Sequence, residues 1–147
     1  MELSGDHAFV AERKRVWDFM LDPETLRQCL PGCEKLDEVG PDEYEATMKI
    51  GIGAIRGTYQ GRVKISDKDE PNSYAMLIEG KGPAGTISGE GRIALSEDGE
   101  RTLSHWSGKA NIRGTLARIG GRVIQPAAKT IVGQFFNCLE SKANSAG

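Results

Sequence analysis

Apolar and polar residues alternate with a period of two through the middle of the chain, between residues 33 and 110. Such alternation is typical of antiparallel strands with one face in the core and one in water. The clearest runs are Tyr44–Ile52, Ile55–Ile65 and Ile87–Leu95. Turn sequences separate the runs, for example Gly40-Pro41-Asp42 and Asp98-Gly99. The pattern predicts about six strands here and a seventh from Leu3 to Val10.

Two short helices are predicted between the first strand and the others. Residues 12–21 carry one apolar side, which indicates a helix. Asp22 can cap a second helix whose first position is Pro23. That helix must end before the Leu30-Pro31 pair, because a residue that precedes proline avoids helical angles.

A longer helical pattern closes the chain. Apolar residues recur every three or four positions from Thr115 to Ser141, a span of 27 residues or about 40 Å. Gly120 and Gly121 interrupt this pattern, and Pro126 predicts a kink, or a break just before it. Residues 142–147 are small and polar and are expected to fray.

These elements predict a single α+β domain over residues 1–147 with a helix-grip arrangement. A curved antiparallel sheet of about seven strands would wrap on the long C-terminal helix, the only predicted element long enough to cover the concave face. Two short helices would follow the first strand.

Whole-chain properties narrow the class of protein. The net charge of −2 argues against general nucleic-acid binding. No apolar run reaches the ~18 residues of a membrane span, and the first residues do not form a secretory signal, so a cytoplasmic location is expected. Three cysteines are an odd number, which argues against a disulfide scaffold. Cys29, Cys33 and Cys138 are therefore interpreted as small buried residues.

Glycine is unusually frequent, with 19 in 147 residues. Four glycines share the inward parity of the strands, namely Gly57, Gly61, Gly89 and Gly91. Each could mark a bend in a strongly curved sheet, or each could leave space for a ligand. Four on one face favour a retained apolar cavity between the sheet and the long helix, which is a ligand site by default. The residues predicted to line it are Met48, Ile50, Ile52, Tyr59, Met76, Ile78, Ile87, Trp106, Ile119, Val123, Ala127 and Ile131.

Catalytic and metal motifs find no support. His7 and His105 have no metal-ligand spacing, and residues 51–57 miss the dinucleotide fingerprint. Only Tyr44, Tyr59 and His105 could act as acid or base in an enzyme. A mild basic group, Arg113, Arg118 and Arg122, is either a solvated helix edge or a contact for anionic lipid headgroups.

Several segments resemble the CoxG family of proteins associated with carbon monoxide dehydrogenase, within the START-like, Bet v 1-like (SRPBCC) superfamily. They are residues 16–26, the Cys29-Leu30-Pro31-Gly32-Cys33-Glu34 block, Gly57–Gly61, Glu79–Gly82, Gly89–Gly91, residues 116–122 and Phe135-Phe136. The resemblance covers almost the whole chain and implies a helix-grip fold with a hydrophobic cavity. It implies no catalytic residues, and we expect Leu30, Pro31 and Gly32 to lie at the cavity mouth.

The same resemblance implies a role. Family members accompany molybdenum-containing hydroxylases of the carbon monoxide dehydrogenase type and are linked to membrane recruitment of that enzyme and to a quinone-like lipid. This chain departs from the pattern in two ways: it carries no C-terminal extension after the long helix, and it has Pro126 where a small residue is expected. Membrane attachment at the inner face of the membrane is therefore an open expectation.

Three functions follow for testing. The first is a non-enzymatic accessory protein with no cofactor, which binds a quinone- or lipid-like molecule as cargo. The second is an interaction or assembly module whose cavity is incidental. The third is a cyclase-like enzyme of the same superfamily.

Overall fold

The computed structural model describes residues 1–52 and 55–145. The elements, in chain order, are β1 (Glu2–Phe9), α1 (Arg13–Met20), α2 (Pro23–Cys29), β2 (Cys33–Gly40), β3 (Glu43–Ile52), β4 (Ile55–Asp69), β5 (Ser73–Gly82), β6 (Gly85–Asp98), β7 (Arg101–Arg113), α3 (Thr115–Ile119) and α4 (Gly121–Ser145). The strands form one sheet in the order β1-β7-β6-β5-β4-β3-β2, and all neighbours are antiparallel. The predicted α+β helix-grip fold is confirmed.

The start of α2 follows from local chemistry. The carboxylate of Asp22 accepts a hydrogen bond from the backbone N–H of Thr25 at 3.1 Å and another from its hydroxyl at 2.7 Å. Pro23 occupies the first turn, where a missing backbone N–H costs nothing. The helix ends at Cys29, just before the Leu30-Pro31 pair, as the sequence predicts.

The long C-terminal helix is divided, and the division lies earlier than predicted. The chain breaks at Gly120, whose φ of 91° is accessible to glycine but strained for other residues. Pro126 lies inside α4 instead of at a break. The predicted frayed end is also wrong for residues 142–145, because α4 continues to Ser145 and Ala143 is buried. Residues 146–147 lie outside the described part of the chain.

Buried apolar side chains form two separate clusters beneath the helices. The first core cluster joins α1, α2 and the end of α4 to one end of the sheet, and consists of Phe9, Val16, Trp17, Met20, Cys29, Tyr44, Ile65, Tyr74, Ile93, Leu95, Phe136 and Leu139. The second core cluster joins α3 and the start of α4 to the other end, and consists of Ile55, Tyr59, Leu116, Ile124 and Ala127. The middle of the inner sheet face belongs to neither cluster.

A disulfide between Cys29 and Cys138 ties α2 to α4. The interpretation of both cysteines as unbonded small residues is therefore wrong. The two are 109 residues apart in sequence, yet the fold brings their Cα atoms to 5.3 Å, within the range that a disulfide needs. Cys33 is free. Disulfides persist mainly in oxidising compartments, so this bridge counts against the predicted cytoplasmic location.

Candidate functional site

Small residues cover the centre of the inner sheet face. The strand register places Gly61 of β4 opposite Gly80 of β5, and Gly91 of β6 opposite Gly108 of β7. Gly89 and Ala110 form a further pair between these two strands. We call this set the glycine floor: Gly61, Gly80, Gly89, Gly91, Gly108 and Ala110. All of its members are half-buried, so neither core cluster covers them fully.

The space above individual glycines separates the two interpretations of the sequence. A Cβ atom added at Gly80 would meet no heavy atom within 4 Å, and one at Gly61 would come no closer than 3.7 Å to its neighbours. A Cβ at Gly89 would lie 2.8 Å from the carbonyl oxygen of Lys109. Gly57 has a φ of 127°, which favours glycine for conformational reasons. Gly61 and Gly80 therefore face open space, whereas Gly57 and Gly89 serve the shape of the sheet.

Gly80 is not among the glycines that the sequence pattern singles out. A signal is present, since Gly80 has the same parity as Tyr74, Met76 and Ile78 on its strand. Its importance comes from the register, which puts it beside Gly61, and the register cannot be read from one strand alone.

Most of the predicted lining residues lie around this open space. Tyr59 and Ala127 are buried in the second core cluster, and Ile50, Ile87, Ile119 and Ile131 pack on its edge. Met76 and Trp106 pack on the edge of the first core cluster. Met48 is half-buried opposite Tyr59 in the β3–β4 register. Their contact with a ligand stays a prediction.

Three predicted lining residues fit less well. Val123 is 49% exposed, while the adjacent Ile124 is buried, so Val123 lies at the outer edge of the helix face turned to the sheet. The sequence pattern missed this because it ran through the break at Gly120. Ile78 is on the inner face but 40% exposed, because its neighbour on β6 is Gly89 and no large side chain covers it. The side chain of Ile52 lies outside the described residues.

The two aromatic residues that flank the glycine floor both lie over glycines. The indole ring of Trp106 covers Gly5 of β1, where an added Cβ would lie 2.7 Å from the ring. Trp106 also stacks on Phe136 of α4, with ring centroids 6.4 Å apart. The ring of Tyr59 crosses from β4 over Gly82 of β5, where an added Cβ would lie 2.5 Å from it. Glycine beneath each ring lets the ring lie close to the sheet.

Tyr59 differs from the rest of the second core cluster in carrying a polar atom. Its side chain is 5% exposed, and its hydroxyl oxygen is buried without a hydrogen-bond partner. Burial raises the pKa of the Tyr59 phenol above its usual value near 10, so the phenol is protonated at neutral pH. It is a hydrogen-bond donor in an apolar environment.

The Leu30-Pro31-Gly32 block connects α2 to β2. Leu30 and Pro31 are half-buried, and the carbonyl of Gly32 accepts a hydrogen bond from the backbone N–H of Lys49 at 2.8 Å. Gly32 has a φ of 71°, and a Cβ there would collide with the carbonyl oxygen of Lys49. The block is thus held against β3 next to Met48, and its position at the cavity mouth stays a prediction.

The outer sheet face carries two depressions of about 740 and 550 Å³. Charged side chains border both, among them Glu2, Glu90 and Lys109. Burying charged groups against an apolar ligand costs free energy, so the apolar inner face is the better candidate site.

The titratable residues do not assemble a catalytic centre on the inner face. His105 lies on the outer face, with its Nδ1 atom 2.7 Å from Oδ1 of Asp6. His7 pairs with Glu140 at 2.8 Å and thereby ties β1 to α4. Across residues 1–52 and 55–145, no three His, Cys, Asp or Glu side chains are grouped so as to hold a metal ion. In the same ranges, no helix is long and apolar enough to cross a membrane.

Comparison with known families places the chain. The family model for the carbon monoxide dehydrogenase protein CoxG matches residues 5–144, nearly the full length. The chain belongs to the CoxG family. A search of curated proteins found no match.

Solved structures support the fold of this CoxG-family protein. A conserved protein from Geobacillus kaustophilus is similar at 29% identity and a TM-score of 0.96, with 99% of this chain and 97% of that chain covered. A START superfamily protein from Mycobacterium smegmatis has 13% identity and a TM-score of 0.78, with 99% of both chains covered. Ara h 8.0201 has 16% identity and a TM-score of 0.71, with 99% of this chain and 98% of that chain covered. The fold is START-like and Bet v 1-like, and both the family and the fold suggest an accessory, ligand-binding role.

Proposed function

We propose that this protein is a non-catalytic binding protein that holds a quinone- or lipid-like molecule between the glycine floor and α4. The observation that carries the proposal is the open space above the Gly61–Gly80 pair, between two apolar core clusters. Natural cores are close-packed, so an uncovered apolar floor favours an occupant from outside the chain.

The chemistry of the surroundings supports an apolar ligand. The side chains predicted around the floor are isoleucines, methionines, Ala127 and two aromatic residues. Removing apolar surface from water contributes about 25 cal/mol per Å², so an isoprenoid-like tail would bind without any charged contact. Methionines such as Met48 and Met76 adapt to different ligand shapes.

The inner face offers little for catalysis. General acid–base chemistry needs a positioned proton donor or acceptor with a pKa near the working pH. Burial raises the pKa of Tyr59 away from that range, and His105 lies on the outer face. These observations favour binding over a cyclase-like reaction.

We further propose that the bound molecule serves a molybdenum hydroxylase of the carbon monoxide dehydrogenase type, as the family description suggests. An interaction module with an incidental cavity is the competing function.

Peripheral contact with a membrane is part of the same proposal. Arg113, Arg118 and Arg122 are exposed around the Gly120 break, beside the exposed side chain of Val123. Basic residues near an anionic membrane surface contribute about 1 kcal/mol each. An exposed apolar residue among them can enter the interface.

The first test identifies the occupant. The protein is purified gently from its native host, extracted with organic solvent, and compared by mass spectrometry with a mock purification. A stoichiometric quinone or other lipid is expected. An empty protein that also fails to bind 2,3-dimethyl-1,4-naphthoquinone on titration would contradict the proposal and favour the interaction module.

The second test concerns the membrane. Co-sedimentation with vesicles of phosphatidylcholine and about one-third phosphatidylglycerol is compared for the wild type and the Arg118→Gln/Arg122→Gln variant. Loss of two charges at about 1 kcal/mol each predicts roughly 30-fold weaker binding. Pure phosphatidylcholine vesicles are the control. Equal binding of both proteins to anionic vesicles would refute the basic contact.

A further inference from the structure

We infer that the Tyr59 hydroxyl donates a hydrogen bond to an acceptor oxygen of the bound molecule, and so selects ligands with a carbonyl or similar oxygen over plain hydrocarbons. This inference rests on the proposed function and adds the group that recognises the polar end of the ligand.

The first step is the condition of the hydroxyl itself. Tyr59 is 5% exposed, and its oxygen is buried without a partner. A buried polar group without a hydrogen bond destabilises a protein, and phenylalanine would fill the same volume without that cost. The other members of the second core cluster are Ile55, Leu116, Ile124 and Ala127, all apolar, so the cluster supplies no side-chain acceptor.

The second step is position. The Tyr59 ring crosses Gly82, and two residues earlier on the same face of β5 lies Gly80, above which there is open space. Tyr59 is also two residues from Gly61, the partner of Gly80 in the register. The unpartnered donor thus lies at the end of the glycine floor that the second core cluster closes.

The third step is the chemical class and orientation of the ligand. A protonated phenol donates to a neutral acceptor, which fits the carbonyl of a quinone or ketone. The polar end would lie near Tyr59. The apolar remainder would extend along the floor toward Met76 and Trp106, on the edge of the first core cluster.

The test uses two probes with the same carbon skeleton, 2,3-dimethyl-1,4-naphthoquinone and 2,3-dimethylnaphthalene. Methyl groups at both ring positions prevent addition of the free Cys33 thiol to the quinone. Equilibrium dialysis measures the affinity of each probe for the wild type, for Tyr59→Phe and for Tyr44→Phe. Tyr44 is the matched control, since it is a buried tyrosine of the neighbouring strand in the first core cluster.

Loss of one neutral hydrogen bond predicts that Tyr59→Phe binds the quinone about 2- to 12-fold more weakly, with the affinity for the hydrocarbon unchanged. Tyr44→Phe should bind both probes as the wild type does. Equal effects of Tyr59→Phe on both probes, or no effect on either, would overturn the role of Tyr59. Failure of the wild type to bind either probe would instead overturn the proposed function.

A second measurement needs no variant at position 59. The chain has three tyrosines, so protein labelled with ¹³C at the phenol carbon gives three signals, and Tyr44→Phe and Tyr74→Phe assign the third by elimination. The Tyr59 signal should shift when the quinone is added and not when the hydrocarbon is added. A Tyr59 signal that responds identically to both probes would overturn the inference even if Tyr59→Phe does not fold.

Discussion

Filling the space above Gly80 should raise stability and abolish ligand binding at the same time. The variant is Gly80→Leu, at a position where an added Cβ meets no heavy atom within 4 Å. Replacing a glycine inside a strand contributes about 0.5–1 kcal/mol. Burying about half of a leucine side chain contributes roughly 1 kcal/mol more. The free energy of unfolding should rise by about 1.5–2 kcal/mol, which for a chain of this size raises the melting temperature by about 3–8 °C.

The same side chain displaces part of the ligand. Loss of three or four buried carbon groups at about 0.8 kcal/mol each costs about 3 kcal/mol, so the affinity for 2,3-dimethyl-1,4-naphthoquinone should fall roughly 100-fold. Thermal unfolding and equilibrium dialysis measure the two effects. A glycine kept for the shape of the sheet would behave differently, since its replacement would lower stability.

Two control variants separate these cases. Gly89→Ala places a Cβ 2.8 Å from the Lys109 carbonyl oxygen and should destabilise the protein by about 1–3 kcal/mol. Ser88→Leu adds a large side chain to the exposed outer face of the same strand and should leave ligand affinity unchanged. If Gly80→Leu lowers the melting temperature and keeps the wild-type affinity, then the space above the glycine floor is not the ligand site.

Two further predictions concern the C-terminal helices. Denatured, unreduced protein purified without reductant should show one free thiol of three, and Cys138→Ser should lower the free energy of unfolding by up to about 5 kcal/mol, because the Cys29–Cys138 bridge closes a loop of 109 residues; Cys33→Ser is the control, and three free thiols would disprove the bridge. Gly120→Ala should destabilise the protein by about 1–3 kcal/mol because of its φ of 91°, whereas Pro126→Ala should be neutral or stabilising in urea unfolding. The opposite order would return the break to Pro126.

Much of the architecture follows from local pattern. The period-two alternation from Tyr44 to Leu95 and the turn at Asp98-Gly99 predict the strands because side chains of a strand alternate between faces whatever the fold around them. The Asp22-Pro23 start of α2 is local in the same sense, since capping acts within one turn. These features are present in the sequence before any long-range contact forms.

Tertiary structure decided what depends on residues far apart in the chain. The glycine floor exists because strand register sets Gly61 beside Gly80, and the open space there depends on how α4 crosses the sheet. The Cys29–Cys138 bridge depends on the same crossing. The sequence by itself determined the elements and the apolar face, because periodicity is a property of neighbouring residues. Only the packed fold decided which glycines bend the sheet, which leave room for a ligand, and that the hydroxyl of Tyr59 is left without a partner.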